Sequence, residues 1–199
     1  MNPFETKVNK VKKLAGIYKK LLNKGASDAA VEEFQKAIKL NVPADFIDFC
    51  KVCNGSKYDE AVDVEEMCFL SLEKVLDYKK MFDKILDEKQ KDGEYFCWNK
   101  DWMPFADDCD ADTLFIDTTG KATGKKGGVL ERSKHTCEGD ELLLVATSFK
   151  SYITDWVKRV EKEQIYFLNE NEDDTDNDPV EDGFFEFEGK GFVPFKDSE

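Results

Sequence analysis

Apolar residues recur every three or four positions along the N-terminal third of the chain. Phe4, Val8, Val11, Leu14, Ile17, Tyr18, Leu21 and Leu22 are interleaved with lysines, the pattern of an amphipathic helix. Gly25 is expected to stop it by taking the left-handed conformation. Ser27 or Asp28 can cap a second helix whose inner face carries Val31, Phe34 and Ile38. Pro43 suits the start of a third, because its missing N–H would find no partner in a first turn. Phe46, Ile47, Phe49, Cys50 and Cys53 form the inner stripe of that helix, and Asn54-Gly55 ends it. Residues 67–70 read as a short strand. Ser71 then caps a long helix reaching about Lys91, with Leu72, Val75, Leu76, Phe82, Ile85 and Leu86 inward.

Beyond the Asp92-Gly93 turn the period shortens to that of strands. Candidate strands are 95–98, 102–106, 113–117, 128–131 and 142–145, separated by Gly, Asp and Lys. Such spacers are too short for parallel crossovers, so the strands should meander antiparallel. Ser148 caps a last helix with Phe149, Tyr152, Ile153, Trp156, Val157 and Val160 on its apolar face. Helices, then strands, then a closing helix predict an α+β domain: a central antiparallel sheet flanked by N-terminal helices and a C-terminal helix. The domain is expected over 1–168, followed by a tail over 169–199. Within the tail, 169–182 is acidic without a hydrophobic face and reads as disordered. Residues 184–188 and 191–195 flank Gly189-Lys190 as a possible hairpin that docks on the domain or elsewhere.

Charge sharpens this division. The net charge is −14 over 199 residues, and about −10 of it lies in the tail, where twelve acidic residues face two lysines. That balance argues against nucleic acid as a direct partner, because binding phosphates needs a basic surface. The acidic tail reads either as a solvated solubility tail or as a field that steers a protein partner of basic character. No apolar run is long enough to span a bilayer, and the Lys-rich N-terminus lacks a signal-peptide core. The chain is therefore expected to be cytoplasmic, with its six cysteines reduced.

Several patterns suggest chemistry, and each is weakened by its context. Cys50-Lys51-Val52-Cys53 has redox or zinc spacing. It falls near a helix C-terminus, where the dipole does not favour a thiolate, and reads as a pair of buried structural thiols. Asp108-Cys109-Asp110-Ala111-Asp112 alternates carboxylates as a calcium loop does. Thr113 and Thr119 stand where that loop needs Gly and Glu, so it reads as an acidic turn. Residues 120–127 miss the phosphate-loop spacing and read as a flexible basic loop. His135, the single histidine, has no nucleophile pattern beside it and reads as a surface-loop residue. Trp156 is expected in the core. Trp98 and Trp102 flank the charged Asn99-Lys100-Asp101 turn, so one of them is expected partly exposed as a partner anchor. Trp98, Trp102, Asp107, Asp108, Asp110 and Asp112 are thus the candidate partner-binding residues, with no catalytic, cofactor or metal-binding residue expected.

An ordered set of short motifs adds to this reading. Gly25-Ala26-Ser27 precedes a helix, and Val42-Pro43-Ala44-Asp45-Phe46 opens another that ends at Asn54-Gly55. Trp102-Met103-Pro104-Phe105-Ala106-Asp107-Asp108 is followed by Asp112-Thr113-Leu114-Phe115-Ile116-Asp117, then Gly128-Val129, then Leu144-Val145-Ala146-Thr147-Ser148-Phe149. This series resembles the SUKH superfamily, which includes fungal cell-wall synthesis regulators and bacterial toxin-immunity proteins. Val42 stands where the family has Leu, Asp110-Ala111-Asp112 replaces a Gly-containing turn, and 121–128 stands where a proline is usual. The resemblance covers roughly 25–157. It implies a single SUKH-type domain without catalytic residues or cofactors. The function it implies is binding: neutralising a toxin as an immunity protein, or acting as a cell-wall regulator or scaffold.

Overall fold

A computed structural model describes residues 2–14, 21–57, 68–107, 112–132, 141–161 and 192–194. Among them run α1 (Glu5–Leu14), α2 (Asp28–Ile38), α3 (Ala44–Cys50), β1 (Cys68–Phe69), α4 (Leu72–Lys91), β2 (Trp102–Asp107), β3 (Thr113–Asp117), β4 (Gly128–Arg132), β5 (Glu141–Ala146), α5 (Phe149–Glu161) and β6 (Phe192–Pro194). This is the α+β order read from the sequence. The acidic stretch 169–182, the first arm of the expected hairpin and His135 lie outside the described residues.

The six strands form one sheet in the order β1-β2-β3-β4-β5-β6, each pair antiparallel. The β2–β3 register runs from Trp102 opposite Asp117 to Asp107 opposite Thr113. A bulge between Pro104 and Ala106 interrupts it, where the proline has no N–H to give a ladder.

Period-two alternation divides the strand side chains between two faces. Met103, Leu114, Ile116, Val129 and Val145 join the apolar sides of α1, α2, α3 and α5 in one cluster. Trp102, Phe115, Leu130 and Leu142 point the other way and meet Phe82, Leu86, Cys97 and Trp98. Helix α4 contributes to both clusters: Leu72 and Val75 to the first, Phe82 and Leu86 to the second, and Tyr78 packs against each. It therefore crosses the sheet edge from one face to the other.

Phenylalanines dominate the first cluster. Phe149, at the start of α5, meets the rings of Phe4, Phe46, Phe49 and Phe105 at centroid distances of 5.2–6.3 Å, all near edge-to-face, the arrangement aromatic quadrupoles favour.

Caps follow the sequence. Ser27, Ser71 and Ser148 accept from the backbone N–H of Ala30, Lys74 and Ser151 at 3.2, 3.3 and 3.1 Å. Two expectations need correction. Residues 95–98 form no strand; β1 takes the place beside β2, and the 95–98 segment is held by its side chains. Gly25 does not adopt a left-handed backbone. It is required by close approach: a Cβ there would lie 1.9 Å from the Lys51 carbonyl oxygen, where the chain pairs Ala26 N–H with Cys50 O and Asn54 N–H with Lys24 O. Asn54 also does more than end α3. Its Oδ1 accepts from Leu72 N–H at 2.9 Å and so helps cap α4.

Candidate surface for a protein partner

The loop that holds residues 120–127, read from the sequence as a flexible basic loop, is gathered around one carboxylate. Asp117, fully buried at the end of β3, turns its carboxylate into the loop. Oδ1 accepts from Thr119 N, Thr119 Oγ1 and Gly120 N at 2.8–3.1 Å. Oδ2 accepts from Ala122 N, Thr123 N and Thr123 Oγ1 at 2.9–3.2 Å. Burying a carboxylate is costly unless donors replace its water, and this loop supplies them. Glycines allow the tight path: Gly120 has φ +81°, and a Cβ there would meet Lys126 N at 2.6 Å.

Asp112 lies at the opposite end of β3 from Asp117. Five residue steps at about 3.4 Å separate them by about 17 Å, so these two carboxylates do not converge on one ion. Among the described residues no cluster of metal-ligating side chains occurs.

The cysteine pair sits in the first core cluster. Burial pushes the Cys50 thiol well above its ordinary range, with the neighbouring Cys53 adding to the effect. Burial also pushes Cys53 up to about 12, against smaller downward effects of Lys12 and of the Gly55 backbone; the thiol approaches the Gly55 carbonyl oxygen at 3.5 Å. Both are therefore protonated thiols, poor as nucleophiles or metal ligands.

The candidate partner residues divide sharply. Trp98 and Trp102 are each 2% exposed, so neither serves as the surface anchor expected. Trp102 stacks on Phe115 at 4.5 Å, and Trp98 lies 4.7 Å from Phe82 and edge-on to Trp102 at 5.9 Å. The Trp98 indole N–H donates to Asp83 Oδ1 at 2.8 Å, and Lys79 ion-pairs with the same carboxylate. The charges around the tryptophans remain outside: Lys100 pairs with Asp87 at 2.6 Å and Lys121 with Asp101 at 3.0 Å. The rings turn inward while their neighbours stay wet.

Asp107 is buried at the end of β2 and accepts from the Tyr78 hydroxyl, which ties α4 to the sheet at its crossing point. Asp112 is half-buried. Asp108 and Asp110 lie outside the described residues.

Asp107 and Asp112 nevertheless come together on one feature. An open depression of about 250 Å³ is lined by Tyr78, Met81 and Phe82 from α4, Asp107, Asp112 and Thr113 from the β2 and β3 ends, and Arg132 from β4. The Arg132 guanidinium lies 5.0 Å from the Phe96 ring and 5.6 Å from the Phe82 ring, a cation–π arrangement. Among the described residues its Nε finds no hydrogen-bond partner. Met81 is 44% exposed. The sequence held a signal for it: Met81 falls one position before Phe82, off the inner stripe of α4.

No helix among the described residues is long and apolar enough to cross a membrane. A comparison with curated proteins finds no match. The model of the SMI1 / KNR4 family (SUKH-1) matches residues 25–155, from the close-packed Gly25 through most of α5. Helix α1 and strand β6 lie outside that match. With about two thirds of its length matched, the chain belongs to the SMI1 / KNR4 family (SUKH-1).

Proposed function

We propose that this chain is a non-catalytic protein-binding module, and that the depression between α4 and the ends of β2, β3 and β4 is its docking face. The observation that carries the reading is the exposed Met81, set on an apolar floor of Tyr78 and Phe82 and rimmed by Asp112 and Arg132. An apolar centre with a polar rim is the anatomy of protein interfaces, and methionine adapts to irregular partner surfaces. Several titratable groups have structural employment: Asp117 organises its loop, Asp107 holds Tyr78, and the Cys50 and Cys53 thiols stay protonated in the core.

The most concrete form of this role is immunity, in which the chain holds and neutralises a toxin in the cytoplasm. The net charge of −14 favours a basic protein and disfavours nucleic acid as the direct partner. The alternative role, a regulator or scaffold in cell-wall synthesis, uses the same face with a different occupant.

The test is affinity capture from native lysate with the wild-type chain and with Met81→Asp, at low and physiological salt. A partner held by the wild type and lost from the variant supports the reading. Failure of the wild type to hold any protein at either salt concentration overturns it. Met81 is exposed, so the variant should fold as the wild type does, within about 0.5 kcal/mol.

A further inference from the structure

Asp107 stands opposite Thr113, and Thr113 opposite Arg132. The three make one row across β2, β3 and β4, with neighbours about 5 Å apart, and all of them line the depression that Met81 shares. Charge is uneven along the row. The Arg132 guanidinium lies against the rings of Phe82 and Phe96, whose faces take up part of its field. Asp107 is buried and held by the Tyr78 hydroxyl. Asp112, next to Thr113 in the chain, is half-buried. The lining therefore sets two carboxylates against one guanidinium. In the sequence, Asp108 and Asp110 and no basic residue stand between Asp107 and Asp112.

Size narrows the occupant. At about 250 Å³ the depression falls below the roughly 300–1,000 Å³ of pockets that enclose a small-molecule ligand, and it suits a single side chain. Tyr78, Met81 and Phe82 give it an apolar wall. Long basic side chains lay their methylene stems along such a wall and keep the charged head at a wet rim. Met81, 44% exposed, supplies the wall for the stem, and Asp112 supplies the rim.

We propose that the depression seats one long cationic side chain of the protein partner, an arginine or lysine whose stem lies over Met81 and Phe82 and whose head group meets Asp112. The inference rests on the protein-binding reading above and names what that face recognises. Arg132 repels a head group placed at the β4 end of the row, so the seat is at the end where β2 and β3 join. The net charge of −14 attracts a basic partner from a distance; the depression selects which of its basic residues is docked.

The probe is a capped pentapeptide of glycine and serine with a central arginine, titrated at low salt into the full-length protein carrying isotope-labelled methionine methyl groups. Its counterparts carry citrulline, which keeps the shape and loses the charge, or glutamate. The arginine peptide should shift the Met81 methyl signal saturably and bind about fivefold more tightly than the citrulline peptide, the upper end for a partly exposed ion pair. That advantage should shrink at 1 M salt, where charges are screened within about 3 Å, and fall below about twofold in Asp112→Asn. The methyl of Met103, fully buried in the core, should stay in place throughout as the control for folding. Equal affinity for arginine and citrulline in the wild type overturns the proposal, and so does tighter binding of the glutamate peptide, which would assign the depression to an acidic occupant held by Arg132. Equal affinities with partner capture still lost in Met81→Asp would remove this inference and leave the protein-binding reading standing. An arginine-selective depression with no partner captured by any form would do the reverse.

Discussion

Replacing Asp117 with alanine would strip the acceptor from four backbone N–H groups, those of Thr119, Gly120, Ala122 and Thr123, and from two threonine hydroxyls. Hydrogen bonds to a charged group contribute about 1.5–3 kcal/mol each in mutational series. Their simple sum overstates the loss, because the loop residues are half-buried to exposed and can turn some donors to water. A loss of about 3–5 kcal/mol is expected, within the range for breaking a buried network. Asp117→Asn keeps one oxygen in place of two and should lose about 2 kcal/mol. Urea unfolding followed by tryptophan fluorescence reads both values, and Trp102, opposite Asp117 in the ladder, is a local reporter. Native-state hydrogen exchange should show the Gly120, Ala122 and Thr123 amides losing protection first. If both variants lose less than about 1 kcal/mol and those amides keep their protection, the carboxylate is not what organises the loop, and the argument from its six partners is wrong.

Phe149→Ala removes a ring that contacts four others in the first cluster and should cost about 4–5 kcal/mol by calorimetry or urea titration; a cost below 2 kcal/mol would mean the site collapses around the gap. Gly25→Ala forces a Cβ against a backbone oxygen 1.9 Å away and should lose about 3 kcal/mol or more. Gly93→Ala, with open space around it but φ +69°, should lose about 1–2 kcal/mol, and the order of the two is the check. The thiols set a pH window. Unfolded cysteines ionise near 9.0 while folded Cys53 holds its proton up to about 12, so the stabilisation is complete below pH 9 and lost as pH rises from there towards 12. Cys53→Ala should unfold with a flatter urea midpoint across that window than the wild type, and identical profiles would contradict the burial argument.

The elements that local chemistry governs were legible in the sequence. Ser27, Ser71 and Ser148 each precede an amphipathic run, and each caps it. The alternation of 113–117 and 142–145 matches the two faces on which those side chains lie. What could not be read depended on residues distant along the chain. The 95–98 segment has the composition of a strand, but Phe82 and Asp83 on α4 claim Trp98, and β2 takes its neighbour from Cys68–Phe69 instead. One of Trp98 and Trp102 was expected partly exposed because charges flank them; Lys100 pairs instead with Asp87, and Asp101 with Lys121, above buried rings. Of the six candidate contact residues, Asp112 is the one the described structure leaves near the surface. Met81 and Arg132, which line the same depression as Asp112, were passed over because one falls off the helical stripe and the other closes a strand. The role of Asp117 in the loop was not read from the sequence, although its donors all lie within six residues of the carboxylate.

Amide hydrogen exchange on the full-length chain, alone and saturated with a captured protein partner, tests the central claim directly. The account predicts slowed exchange at 78–82 on α4, at 112–113 and at Arg132, with the same footprint absent for Met81→Asp. Protection confined to the α1 and α5 side of the sheet, with 78–82 unchanged, would contradict it.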